Sequence, residues 1–208
     1  MSQSRIAYYA DLFVYPIVVV GFLVLDVETS RFTLHARWWC TFLLGAVLWT
    51  LVEYLLHRFV YHDMPIVKEL HAMHHARPID FVGSPLWTSL LGFSAVLLIF
   101  SHFWTFQMAS GATCGLIVGY IWYLVIHDAV HRWRVDGSSW IRPLRLRHLR
   151  HHRSPTPGNF GVTTGLWDFV FATTITPPIR DHRPGARNLP VGQDVASVRS
   201  GGPHTTKT

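Results

Sequence analysis

Four blocks of predominantly apolar residues, each near the length of about 20 that an α-helix needs to cross a bilayer, leave this chain few folds to choose from. They are "YYADLFVYPIVVVGFLVL" (residues 8–25), a second block over about 36–57 that contains "WWCTFLLGAVLWTLVEYLL", "LWTSLLGFSAVLLIFSHFWTF" from Leu86, and "CGLIVGYIWYLVIHDAVH" from Cys114. With half of its 208 residues apolar and grouped in this way, the chain reads as one all-α integral membrane domain of about four transmembrane helices. The first block resembles a secretory signal in hydropathy, but no small-residue cleavage site follows it, so it is expected to be a retained span. Asp11 is an unusual residue to find there. The Trp38–Trp39 pair is expected at the membrane interface, where aromatic residues are enriched. The uncharged "QMASGAT" predicts a hairpin turn between the third and fourth spans. Gly111, Gly115 and Gly119 recur every fourth residue, which suits close packing against a neighbouring helix; flexibility near a helix start accounts for Gly111 equally well.

The net charge of +6 matters less than where the charges fall. Of 18 Lys and Arg, only Arg31 and Arg37 lie between the first two spans; the other 16 fall in segments that four crossings place on one side. The positive-inside tendency makes that side cytoplasmic. The stretch "RWRVDGSSWIRPLRLRHLRHHR" then reads as a basic surface against anionic headgroups, and no nucleic-acid motif accompanies it. Cys40 and Cys114 form no metal-type or redox pair and are expected to be packing residues. The domain is expected to span 1–184. Residues 185–208, rich in Gly, Pro, Ser and Thr, are expected to form a disordered tail.

Ten of the 14 histidines fall in four short groups: "HRFVYH" (His57, His62), "HAMHH" (His71, His74, His75), "HDAVH" (His127, His131) and "HLRHH" (His148, His151, His152). The first and third groups close spans two and four, and the others follow them, so all four are expected at the same cytoplasmic end. His127 and His131 share a helical face. In each HxxHH group the adjacent histidines diverge by about 100°, which suits two neighbouring ions better than one. His57 and His62, five apart, converge only if the helix unwinds between or after them; Asp63, Met64 and Pro65 predict such an ending. Ten imidazoles would supply about five ligands to each of two metals. That exceeds the tetrahedral set zinc prefers and favours iron, with zinc as a substitute. His35, His102, His182 and His204, outside the groups, are expected to be ordinary interfacial or exposed polar residues.

At these residues, over roughly 44–177, the chain resembles the fatty acid hydroxylase / sterol desaturase superfamily of membrane di-iron enzymes. The ordered boxes look most like the fatty acid 2-hydroxylase branch, as does "NFGVTTGLWDFVFAT", which follows the last box. The resemblance implies a four-helix membrane anchor under a cytosolic histidine-rich helical cap, two iron ions, O2 as co-substrate and a lipid substrate. It also implies a separate electron donor, of cytochrome b5 or ferredoxin type with its reductase. The HPGG haem motif of fused cytochrome b5 domains does not occur, and "HRPG" at His182 is not that motif, so the donor is expected to be a partner protein. Carotenoid hydroxylases generally space the third box one residue wider than "HDAVH". A lipid hydroxylase is therefore expected. A sterol or lipid desaturase, or a carotenoid hydroxylase, on the same metal centre is the alternative, and a membrane metal-binding or electron-transfer protein is the non-enzymatic one.

Metal-bound histidines commonly donate their remaining N–H to a carboxylate or carbonyl. Glu53, one helical turn before His57, Asp128, next to His127, and Asp168 are the candidate acceptors. Asn159 is a candidate polar orienter or, in "PTPGNFG", a turn residue.

Overall fold

Each apolar block forms one long helix, since backbone groups surrounded by hydrocarbon must find their partners within the same segment. The computed structural model describes residues 3–29, 32–134 and 139–176, and the expected tail and "HRPG" lie outside them. The helices are α1 (Arg5–Thr29), α2 (Phe32–Leu55, continued by a π-helical segment Leu56–Tyr61), α3 (Pro65–Ala76), α4 (Leu86–Phe103), α5 (Phe106–Arg132), α6 (Ile141–Arg153) and α7 (Leu166–Val170). No strand occurs among the described residues. α1, α2 with its π-helical extension, α4 and α5 are long and apolar enough to cross a membrane. Their outward faces carry exposed apolar residues such as Ile17, Val47 and Leu98, which suits contact with lipid.

The expected hairpin turn at "QMASGAT" is not there. The chain reverses at Trp104 and Thr105, where the Thr105 side chain caps α5 by accepting the Met108 N–H at 3.4 Å. "QMASGAT" is the helical start of α5, with Ala109–Thr113 buried. Its small residues serve close approach rather than turning. A Cβ on Gly111 would meet the Trp38 carbonyl oxygen at 2.6 Å, one on Gly115 the Phe42 carbonyl oxygen at 2.0 Å, and one on Gly119 the Trp49 side chain at 2.4 Å. Gly45 answers from α2, where an added Cβ would meet the Ala112 carbonyl oxygen at 2.2 Å. Residue order in these contacts makes α2 and α5 parallel neighbours, and a side chain at any of the four would force their backbones apart.

Of the expected interfacial pair, Trp38 faces the interior of the bundle. It is buried beside Gly111 with its ring stacked on Phe42 at 5.3 Å, whereas Trp39 is exposed and donates its indole N–H to His35 Nε2 at 3.1 Å. Likewise Cys114 is a buried packing residue, while Cys40 is exposed.

α1 and α4 run antiparallel to this pair. Tyr9 near the start of α1 donates to Asp128 near the end of α5, and Asp11 bonds Ser89 near the start of α4. The start of α1, the end of α2 with its π-helical extension, the start of α4 and the end of α5 therefore share one end of the bundle. At that end α3, α6, the 154–165 loop and α7 form a cap. α6 is seated there by a buried cluster of Ile126, Ala129 and Val130 from α5, Ile141 from α6 and Val162 from the loop.

Candidate metal centre

The spacing of His57 and His62 is resolved by widening the helix rather than ending it. Through Leu56–Tyr61 the backbone is π-helical, and its i→i+5 bonding brings residues five apart to one face. The two imidazoles stack with centroids 5.3 Å apart and planes 18° from parallel. The helix continues through Asp63 and breaks at Met64, after which Pro65 opens α3.

Two sets of imidazoles meet at this end. Potential ligand nitrogens of His57, His62, His71, His75 and His151 lie within 4.8 Å of one another, as do those of His74, His131, His148 and His152. His127 completes the second group: its ring centroid is 4.6 Å from His74 and 4.9 Å from His131 and His148. Adjacent histidines diverge as their helical angles require, His74 and His75 into different sets, His151 and His152 likewise. Each half of the chain thus lends one histidine to the other's set. The sets touch where His75 and His152 stack at 4.1 Å.

The chemistry of these nitrogens fits a cation. The Nδ1–H groups of His57 and His151 donate to the carbonyl oxygens of Phe160 and Gly158, at 2.5 and 2.8 Å. Their Nε2 atoms are therefore bare lone pairs aimed into the first set. There His57 Nε2 lies 3.1 Å from His71 Nε2, which lies 3.0 Å from His75 Nε2, and His62 Nε2 lies 3.3 Å from His151 Nε2. In the second set His148 Nε2 is 2.9 Å from His131 Nε2 and 3.0 Å from His152 Nε2, while His74 Nε2, His148 Nδ1 and His152 Nδ1 are buried without a partner. Burial, aided by neighbouring imidazoles, lowers the pKa of His74 to about 3, His75 to about 4 and His152 to about 2, and holds His148 far below its usual value. Those rings are neutral at pH 7, the form that binds metals.

None of the four expected polar partners bonds a clustered imidazole. Glu53 accepts from Val162 N–H, Thr163 N–H and the Thr163 hydroxyl, the last at 2.6 Å. Asp168 accepts from Phe160 N–H at 2.8 Å, Gly161 N–H at 2.9 Å, the Thr173 hydroxyl and Arg147. Asn159, at φ 55°, donates to the Arg147 carbonyl and accepts from Ile175 N–H. Together they fix the loop whose carbonyls hold His57 and His151, so they act on the imidazoles through backbone. Asp128 faces elsewhere, paired with Arg132 and accepting from Tyr9. Sequence reasoning missed the two carbonyls, which no residue type announces, and Arg147, whose place next to His148 was the available signal.

The loop covers one side of the sets. On another, an open cleft reaches His71, His74 and His127 and is lined by Tyr61, Leu70 and Tyr123 among others. Tyr123 stacks on His127 at 5.5 Å. Trp167 and Phe171 instead tie the 166–171 segment to α2, the first by donating to Thr50 and the second by stacking on Tyr54.

Comparison with known proteins gives a consistent result. The family model described as fatty acid hydroxylase matches residues 42–173. The fatty acid 2-hydroxylase of Homo sapiens is 33% identical over 151 residues, 65% of this chain and 39% of that protein. The ceramide very long chain fatty acid hydroxylase of Saccharomyces cerevisiae is 32% identical, over 65% of this chain and 38% of that protein. A solved structure, full-length scs7p with only its hydroxylase domain visible, superposes with a TM-score of 0.72 at 26% identity, covering 83% of this chain and 68% of that one. The chain spans about two fifths of the length of these human and yeast relatives.

Proposed function

Because the chain belongs to the fatty acid hydroxylase family, we propose that it is a membrane-bound di-iron monooxygenase that uses O2 to hydroxylate an unactivated C–H bond of a fatty acyl chain. The observation that carries this reading is the pair of touching imidazole sets, with bare Nε2 atoms of His57 and His151 aimed into the first. Breaking an aliphatic C–H bond needs an oxidant stronger than any side chain, and iron with O2 supplies it when bound. The first set offers five nitrogens and the second four with His127 beside them, more than tetrahedral zinc uses, so zinc is a substitute rather than the resident ion.

The remaining work falls to this chain's own groups. The Phe160 and Gly158 carbonyls keep two rings in one tautomer and orientation, and Glu53, Asp168 and Asn159 hold those carbonyls in place. The 154–165 loop and α7 keep water from one side, and the cleft sets an acyl chain against His71, His74 and His127. The cap faces the cytoplasm, where most basic residues gather. Arg142, Arg150 and Arg153 are exposed on α6, the helix that carries His148, His151 and His152. They are the landing surface for an acidic electron donor of cytochrome b5 or ferredoxin type.

The test is the product formed by cells that express the chain under heavy-isotope O2. The expected lipid is one oxygen atom heavier, with the label in the new hydroxyl. A lipid two hydrogens lighter and without label would make the chain a desaturase. No change in any lipid, with metal bound, would favour a metal-binding or electron-transfer role.

A further inference from the structure

The cleft does not end at the histidines. It continues along α5 from His127 to Tyr120, seven residues or about 10 Å of helix, past Leu124 and Leu12. There its lining turns polar at Asp11, which is 4% exposed. Asp11 Oδ1 accepts from the Ser89 hydroxyl at 2.6 Å and from the Tyr120 hydroxyl at 3.1 Å. Both bonds fall on the same oxygen. Oδ2 accepts none among the described residues, and it is not among the side-chain atoms sealed from solvent without a partner. A clasp joining α1, α4 and α5 accounts for Oδ1. It leaves Oδ2 unexplained, because an ionisable group inside a membrane span is costly unless both oxygens are satisfied. Asp11 lies on α1, before the residues 42–173 that the family model matches.

We propose that Asp11 Oδ2 is the receptor for a hydroxyl group on the lipid that fills the cleft. The substrates are then acyl lipids bearing a chain hydroxyl about 10 Å from the carbon held at the histidines. A hydroxyl suits the place better than an ammonium, which would bring a second charge into the bilayer. The reacting end rests on the hydroxylase reading; the hydroxyl site does not, since binding needs no metal.

The experiment uses the metal-free full chain in nanodiscs, titrated with octadecanoate and with its 3-hydroxy and 10-hydroxy derivatives. With the carbon next to the carboxylate set at the histidines, as the likeness to fatty acid 2-hydroxylases suggests, about 10 Å of extended chain reaches C10. The 10-hydroxy acid is therefore expected to bind about tenfold tighter than octadecanoate, the effect of one buried hydrogen bond to a carboxyl, and the 3-hydroxy acid no tighter. Asp11→Leu is expected to remove that preference and leave octadecanoate binding unchanged. The triple variant Asp11→Leu, Ser89→Ala, Tyr120→Phe removes every polar partner together and gives the same readout should the single variant fold poorly. Ser89→Ala alone is expected to keep the preference. Equal binding of the three acids to the wild type overturns the proposal, as does a preference that survives in the variants. Equal loss of all three acids in both the single and triple variants also overturns it, leaving Asp11 as a clasp. The preference in this titration, together with no labelled lipid in the heavy-isotope O2 test, would refute the hydroxylase reading and leave the hydroxyl site standing.

Discussion

Replacing His151 with alanine is expected to reduce formation of the oxygenated lipid by at least about a hundredfold and to lower the iron content of the purified protein. His151 comes from the second half of the chain, yet its Nε2 lies 3.3 Å from His62 in the set built mainly by the first half. Its other nitrogen is held by the Gly158 carbonyl, so alanine removes a donor and the contact that fixes the loop beside it. His102→Ala is the control: the residue is exposed on α4, with its ring against Phe103, and both product and iron are expected to stay at wild-type levels. Undiminished product from the His151 variant would remove His151 from the centre.

Asp168→Asn is expected to destabilise the protein by about 3–5 kcal/mol, although no imidazole is touched. The carboxylate is 1% exposed and takes four hydrogen bonds, including 2.7 Å from Arg147, whose side chain is 19% exposed. An amide turns one acceptor into a donor facing an N–H or a guanidinium, and Arg147 keeps a largely buried charge whose remaining hydrogen bond is to the neutral Gly161 carbonyl, at 3.0 Å. The Phe160 carbonyl loses its anchor through the same residue's N–H, so iron affinity is expected to fall about 10–100-fold. Thermal unfolding in detergent and metal titration read the two effects separately. Adding Arg147→Met to the variant is expected to recover part of the stability, because the orphaned charge is gone. Wild-type melting and metal affinity in Asp168→Asn would show that the loop does not support the centre.

What could be read without coordinates was what depends on local pattern. Hydropathy located the four long helices, and angular spacing separated His74 from His75 and His151 from His152. Contacts between distant segments were not legible in that way. The Gly111 region looked like a turn because glycine serves turns and tight helix packing alike, and only the approach of α2 distinguishes them. Trp38 and Trp39 are adjacent in sequence but opposite in burial, since one faces α5 and the other does not. The five-residue gap between His57 and His62 required a departure from regular helix, but a break and a π-helical widening satisfy it equally. Glu53 and Asp168 stood out as charges near the histidines. That they reach them through the carbonyls of a loop is a property of the fold, because a backbone oxygen has no letter in the sequence.

Iron content of freshly purified, active protein, measured by elemental analysis together with its absorption spectrum, tests the two-metal centre most directly. The expected result is close to two irons per chain, one for each imidazole set, with no Soret band. One iron or fewer per chain at full activity, or a haem spectrum, would contradict it.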